Sequence, residues 1–187
     1  TGVQTCALPI SILWSQPITS LEVLMPDNIW RKVRHEPNAV VLNLGDAMHF
    51  ISGGFFKPTI HRVVAPPEDQ KHYNRLGVFY FALFNENVVL EPLLESEIVK
   101  KASQGHDFWS KRHSRGLPAV TAGEWERMRV RAYGQGGQKK GSDGHDHEQI
   151  AGVNVTLYNS IQNVPKVARK IGGVNEHARA RVIHATS

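Results

Sequence analysis

Three stretches decide the reading of this chain: Asn43-Leu44-Gly45-Asp46, then Ser52-Gly53-Gly54-Phe55-Phe56-Lys57-Pro58-Thr59-Ile60-His61-Arg62-Val63, then Tyr73-Asn74-Arg75-Leu76-Gly77-Val78-Phe79-Tyr80-Phe81. The first ends a near-continuous apolar run, Ala39 to Leu44, which predicts a strand buried on both faces. Gly45-Asp46 predicts a turn, since glycine permits it and an aspartate can bond its own backbone. Thr59 to Val64 predicts a strand ended by Pro66-Pro67. Arg75 to Leu83, rich in aromatic and β-branched residues, predicts the next one.

Working outward, the chain reads as β until Glu95. Ile12-Leu13-Trp14, Leu21 to Leu24 and Trp30 to Val33 are short strand candidates, and Val88-Val89-Leu90 is another before Pro92. Short strands with turn signals every ~8–12 residues argue for a sandwich or jelly roll. Thr121 to Tyr133 predicts the best helix, with Thr121 as cap, Glu124 three residues on and arginines near its C-terminal end. Gly134 to Gly144 is polar and glycine-rich and predicts a loop. Val153 to Tyr158 predicts one returning strand, and the basic stretch after Asn159 predicts a loosely attached helix or a frayed tail.

Composition bounds the function. The chain has 187 residues, 41% hydrophobic, enough for one domain with a core. No apolar run approaches the ~20 residues that span a bilayer, and no secretory signal opens the chain. The single cysteine, Cys6, excludes an internal disulfide framework and fits a reducing, cytoplasmic compartment. The net charge of +5 is spread without interleaved aromatics or a nucleic-acid-binding motif, so a solvated basic surface is expected rather than a nucleic-acid partner.

Two residues carry candidate chemistry. Alternation puts Thr59, His61 and Val63 on one face of their strand. A lone strand histidine is most often a core or surface residue, but neutral imidazole is also a common ligand for iron, zinc and copper. Arg75 follows after the proline-rich connection, where paired strands would aim both side chains into one interior. A guanidinium there calls for a carboxylate, which its planar fork binds with two parallel hydrogen bonds. His145-Asp146-His147 lies in a loop-like stretch, and His35, His49, His72, His106, His113, His177 and His184 show no ligand-like spacing.

Taken in order and at their spacing, Asn43-Leu44-Gly45-Asp46, the Gly53 to Val64 segment and Arg75-Leu76-Gly77 resemble the C-terminal part of Fe(II)/2-oxoglutarate-dependent dioxygenases of the isopenicillin N synthase-like family. The resemblance implies a double-stranded β-helix (jelly roll), here incomplete, with a C-terminal helical and irregular extension over 96–187. It implies that residues 11–95 are the jelly-roll part. Residues 1–10 show no strand alternation and no cap, resemble a mistranslated adapter peptide and are expected to be a non-native leader. It implies His61 as an iron ligand and Arg75 as the anchor of the far carboxylate of 2-oxoglutarate, and it puts Asp46 outside the site. The family pairs that arginine with a serine two residues on; here Gly77 stands instead.

The family's other iron ligands come as His-x-Asp just before the strand resembling Ile12 to Gln16. No His-x-Asp or His-x-Glu occurs in the sequence. The implied activity is oxidation of a small organic molecule by a monomer, with iron and 2-oxoglutarate. This chain as written is expected to be inactive, a truncated gene model being the simplest account. The alternative is an inactive jelly roll that binds a carboxylate ligand or a protein partner.

Overall fold

A computed structural model describes residues 8–132, 139–140, 146–159 and 181–186. Residues 1–7 of the expected leader lie outside this description. Strand β1 (Ile10–Trp14) is followed by β2 (Leu21–Leu24), β3 (Trp30–Lys32) and β4 (Val40–Leu44). Helix α1 (Asp46–Ile51) precedes β5 (His61–Val63) and β6 (Phe79–Ala82). All six strands pair antiparallel in two three-stranded sheets, ordered β4-β1-β6 and β3-β2-β5. The chain passes back and forth between the sheets, the winding expected of a jelly roll.

The register fixes which side chains turn inward. Leu13 of β1 lies opposite Val41 of β4 and Phe79 of β6, and Ser11 opposite Asn43 and Phe81. The next residues along face outward: Val40 is 46% exposed and Leu42 63%. The expected two-face burial of this strand is therefore corrected. Its apolar run is continuous in sequence, but only one face is covered by the described residues.

Several expected boundaries also move. The turn at Gly45-Asp46 is the start of α1, a helix missed because six residues give too few turns for a helical period to show. Gly53 and Gly54 end it at positive φ, and Gly54 N–H donates to His49 O at 2.9 Å. At Gly53 a Cβ would lie 2.7 Å from Ser103 Cβ, so only glycine fits. The strand expected from Arg75 begins only at Phe79. Asn74 to Val78 are irregular, tied down by Gln16 rather than by a ladder. Val88 to Leu90 form a single bridge, Val89 to Thr121, instead of a strand.

The C-terminal part holds α2 (Glu97–Ala102), α3 (Ser110–His113) and α4 (Ala122–Ala132), then β7 (Lys139–Lys140), β8 (Asp146–Ile150), β9 (Val153–Asn159) and β10 (Arg181–Thr186). The four strands form one antiparallel sheet, β10-β9-β8-β7. Asp146-His147 thus lies in a strand, not in the loop expected from its Gly/Ser/Asp surroundings, because pairing with β9 fixes it. Residues 133–138, 141–145 and 160–180, where a loop and a helix or tail were expected, lie outside the described residues. Helix α4 begins as its sequence predicts: Thr121 N–H donates to Glu124 Oε2 at 2.9 Å, and Glu124 N–H to Thr121 Oγ1 at 3.3 Å.

The dense core sits between these two parts rather than between the two jelly-roll sheets. Phe50 of α1 packs edge-on against Trp125 of α4, ring centres 5.0 Å apart, and against Trp109 at 4.8 Å. Leu90, Val120, Ile150, Val153 and Val155 complete it. Trp109 Nε1–H donates to the Leu90 carbonyl at 2.7 Å, so its buried donor is satisfied. Under this core, Asp46 and Arg129 form a fully buried ion pair at 3.1 Å. The C-terminal extension is thereby packed onto the jelly roll through α1.

Candidate functional site

Between the two three-stranded sheets lies a cavity of about 130 Å³. Its wall is apolar on both sides: Leu13 and Val41 from one sheet, Leu21, Val23 and Val63 from the other. Into it come His61, Arg75, Asn43 and the Phe79 ring. His61 and Arg75 line one cavity, although not from neighbouring strands as the sequence suggested. His61 opens β5, which pairs with β2, whereas Arg75 precedes β6, which pairs with β1 in the opposite sheet. The proline-rich connection carries the chain from one sheet to the other.

His61 is held by its own backbone neighbourhood. Its Nδ1 lies 2.9 Å from the Thr59 carbonyl, so Nδ1 carries the proton that it donates and Nε2 keeps its lone pair. Burial holds the imidazole pKa below its usual value, against the smaller pull of the Thr59 bond, and this keeps the ring neutral. A neutral ring, oriented through Nδ1 with Nε2 as the acceptor, is the form in which histidine ligates a metal.

Arg75 is positioned by two side-chain bonds from the start of the chain. Thr19 N–H donates to Gln70 Oε1 at 2.8 Å, pinning the 3-10 turn Glu68–Gln70, and the Gln16 amide donates to the Leu76 carbonyl. Burial lowers the guanidinium pKa, and Nε, sealed from solvent, finds no hydrogen-bond partner among the described residues. A buried guanidinium donor without an acceptor is an arrangement that an anion completes. Gly77 does not offer the hydroxyl usual in the family. A Cβ there would lie 2.5 Å from Phe79 Cε2, so the ring uses the room that glycine leaves.

The other candidates separate from this place. Asp46 is excluded from water, with burial raising its carboxyl pKa to about 6 against the pull of Arg129. It belongs to the core. His49 is buried with Nδ1 2.8 Å from the Phe56 carbonyl, and His35 Nδ1 lies 2.9 Å from Ser15 Oγ. His113 is flanked by Asp107 and Glu91 at the surface. Among the described residues no three His, Cys, Asp or Glu side chains come together as a metal site. His61 alone does not make an iron centre, which needs two further protein ligands. The carboxylate of 2-oxoglutarate, by contrast, fits the unmet donor of Arg75.

Two polar residues in this region escaped the sequence reading. Gln16 was read only as strand context, and Asn43 as part of a structural turn. The signal for Asn43 was available: it stands in alternation with Val41, on the inward face of an apolar strand.

Residues 4–83 match the family model described as the 2OG-Fe(II) oxygenase superfamily. That match takes in fewer than half of the chain's residues. The chain is 33% identical over 84 residues to jasmonate-induced oxygenase 3 of Arabidopsis thaliana, covering 45% of this chain and 22% of that protein. It is 30% identical over 113 residues to the 2-oxoglutarate-dependent dioxygenase frbH of Dothideomycetidae sp., covering 57% of this chain and 34% of that one. Among solved structures, a full-length Neurospora crassa protein crystallised in complex with alpha-KG superimposes with a TM-score of 0.56 at 24% identity, over 70% of this chain and 37% of the other. That likeness establishes the fold, a jelly roll. The chain spans less than half the length of each of these proteins.

Proposed function

We propose that the chain is part of an iron(II)- and 2-oxoglutarate-dependent oxygenase acting on a small organic molecule, and that His61 and Arg75 are its share of the active site. The observation that carries this reading is their convergence on one cavity, His61 with Nε2 left as the acceptor by the Thr59 bond and Arg75 with a buried Nε donor that meets no partner among the described residues. The superfamily match over 4–83 supports the same reading.

Arg75 would grip the far carboxylate of 2-oxoglutarate, and its fork would set the molecule's direction along the cavity. The Thr59 carbonyl would hold the His61 ring, so that Nε2 faces the reacting end without a reorientation cost. The apolar walls would exclude water and strengthen both interactions. Iron and 2-oxoglutarate together supply oxidising power that protein side chains lack. His61 would be the one iron ligand from the described residues, so the jelly-roll part, residues 11–95, would act only with a His-x-Asp supplied from sequence outside this chain. Within the same proposal the protein works as a cytoplasmic monomer, without nucleic acid or membrane. No described helix is long and apolar enough to cross a bilayer.

The test extends the reading frame upstream of codon 11 and expresses the longer protein. With an in-frame His-x-Asp, succinate forms from 2-oxoglutarate with added iron and ascorbate, and His61→Ala abolishes it. The 187-residue chain alone gives no succinate above its own His61→Ala control. A continuous native frame without His-x-Asp would refute the enzyme reading.

A further inference from the structure

We propose that Asn43 is a further ligand-binding residue of the cavity, holding the end of the bound acid that lies away from Arg75. The inference rests on the reading of Arg75 as carboxylate anchor and supplies the chemistry of the opposite end.

Asn43 stands on the inward face of β4, opposite Ser11 of β1. Its Oδ1 is sealed from solvent and accepts no hydrogen bond from any described residue. Of the side chains that line the cavity with it, Leu13, Val23, Val41 and Val63 offer no hydrogen bond, and the hydroxyls of Ser11 and Thr59 make none to this oxygen. A buried amide oxygen without a partner works against folding, and valine or leucine would suit an inward strand position better. A polar group retained there at such a cost marks a partner that arrives from outside the fold.

Register gives the direction. Asn43 is level with Ser11, while Arg75 lies toward the other end of β1, where Trp14 N–H donates to the Val78 carbonyl at 3.2 Å. Three strand residues separate the levels of Asn43 and Val78, roughly 10 Å at about 3.3 Å per residue, and Arg75 precedes Val78 beside Gln16, whose amide donates to the Leu76 carbonyl. The two unmet polar groups therefore lie toward opposite ends of the cavity, with Leu13 and Val41 at a level between them. The ligand that fits is a short acid: a carboxylate at one end for Arg75, a few methylenes, and an oxygen-bearing group at the other. The asparagine amide has two donors and an acceptor, so it serves carbonyl, carboxylate or hydroxyl oxygens alike.

The experiment follows the Arg75 Nε–H and Asn43 side-chain amide signals of the 187-residue chain by nuclear magnetic resonance during titration. One arm uses 2-oxoglutarate and the other pentanoate, which has the same chain length and only one polar end. The expected result is that 2-oxoglutarate moves both signals and pentanoate moves Arg75 alone. Asn43→Leu weakens 2-oxoglutarate by about three- to tenfold, the range of one neutral hydrogen bond, and leaves pentanoate unchanged. An Asn43 signal unmoved by 2-oxoglutarate, or an Asn43→Leu effect equal for both acids, overturns the proposal and leaves Arg75 as anchor. An Arg75 signal silent to both acids overturns the functional reading itself. The wild-type titration decides the matter even if the variant does not fold.

Discussion

Asp46 and Arg129 meet 3.1 Å apart with both side chains shut off from water, one at the start of α1 and the other near the end of α4. Far apart in sequence, they join the jelly-roll segment to the helical extension. The Arg129 guanidinium also lies 5.7 Å from the centre of the Trp125 ring. Such a pair repays its desolvation only while both partners are present.

Arg129→Met leaves the Asp46 carboxylate buried without its counter-charge. Removing one partner of a buried pair typically costs about 3–5 kcal/mol. Urea unfolding at pH 7 should show a loss of that order, and Asp46→Leu in the same chain should recover most of it. A loss under about 1 kcal/mol would mean that the pair contributes nothing to docking the extension.

The same carboxyl gives a pH dependence with a definite sign. Burial raises its pKa from 3.8 to about 6 in the fold. Between those values the folded chain keeps a proton that the unfolded chain has released. The stability from this group is therefore complete below about pH 4 and is lost as pH rises through about 6. Asp46→Asn has no such titration. Wild type minus Asp46→Asn in unfolding free energy should grow as pH falls from 7 to 4.5, by at most ~3 kcal/mol at about 1.36 kcal/mol per unit. Parallel curves for the two proteins would contradict the assignment.

Arg75→Lys keeps the charge and loses the fork. In the extended protein with iron(II), under anaerobic conditions, 2-oxoglutarate should bind roughly ten- to a hundredfold more weakly, the equivalent of ~1.5–3 kcal/mol for one charge-assisted hydrogen bond. Unchanged affinity would remove Arg75 as anchor, and the cosubstrate assignment with it.

Gly77→Ser restores the hydroxyl usual in the family, and from sequence alone it should tighten 2-oxoglutarate. The structure changes that expectation, because the added Cβ would lie 2.5 Å from the Phe79 ring. The single substitution should bring no gain, as the ring is pushed into the cavity that it lines. Gly77→Ser combined with Phe79→Leu should bind more tightly than Phe79→Leu alone. A gain from Gly77→Ser by itself would show that the ring yields freely.

The strands of the two small sheets were legible because their alternation is local, and so was α4, whose start is written in Thr121 and Glu124. The shared cavity of His61 and Arg75 was legible from motif spacing, but not its construction from opposite sheets. Nothing between Thr59 and Phe81 says which earlier strand each segment will pair with. The Asp46–Arg129 pair was hidden for the same reason: each residue has an innocent local reading, as a turn aspartate and a helix-end arginine. Asn43 was passed over because its neighbours Gly45 and Asp46 made a turn the easier interpretation. The extension's sheet was half visible, with Val153 to Tyr158 apolar enough to read, while Asp146 to Gln149 is too polar to announce a strand.

The order β4-β1-β6 also has a consequence for how the chain is made. The central strand leaves the ribosome first, yet its last partner, ending at Ala82, is translated about 70 residues later. At roughly 5–20 residues per second, β1 waits some 3–14 s with Ile10, Ile12, Leu13 and Trp14 short of a full complement of neighbours. That interval is a window for chaperone capture, and it ends only when the segment carrying Arg75 has emerged.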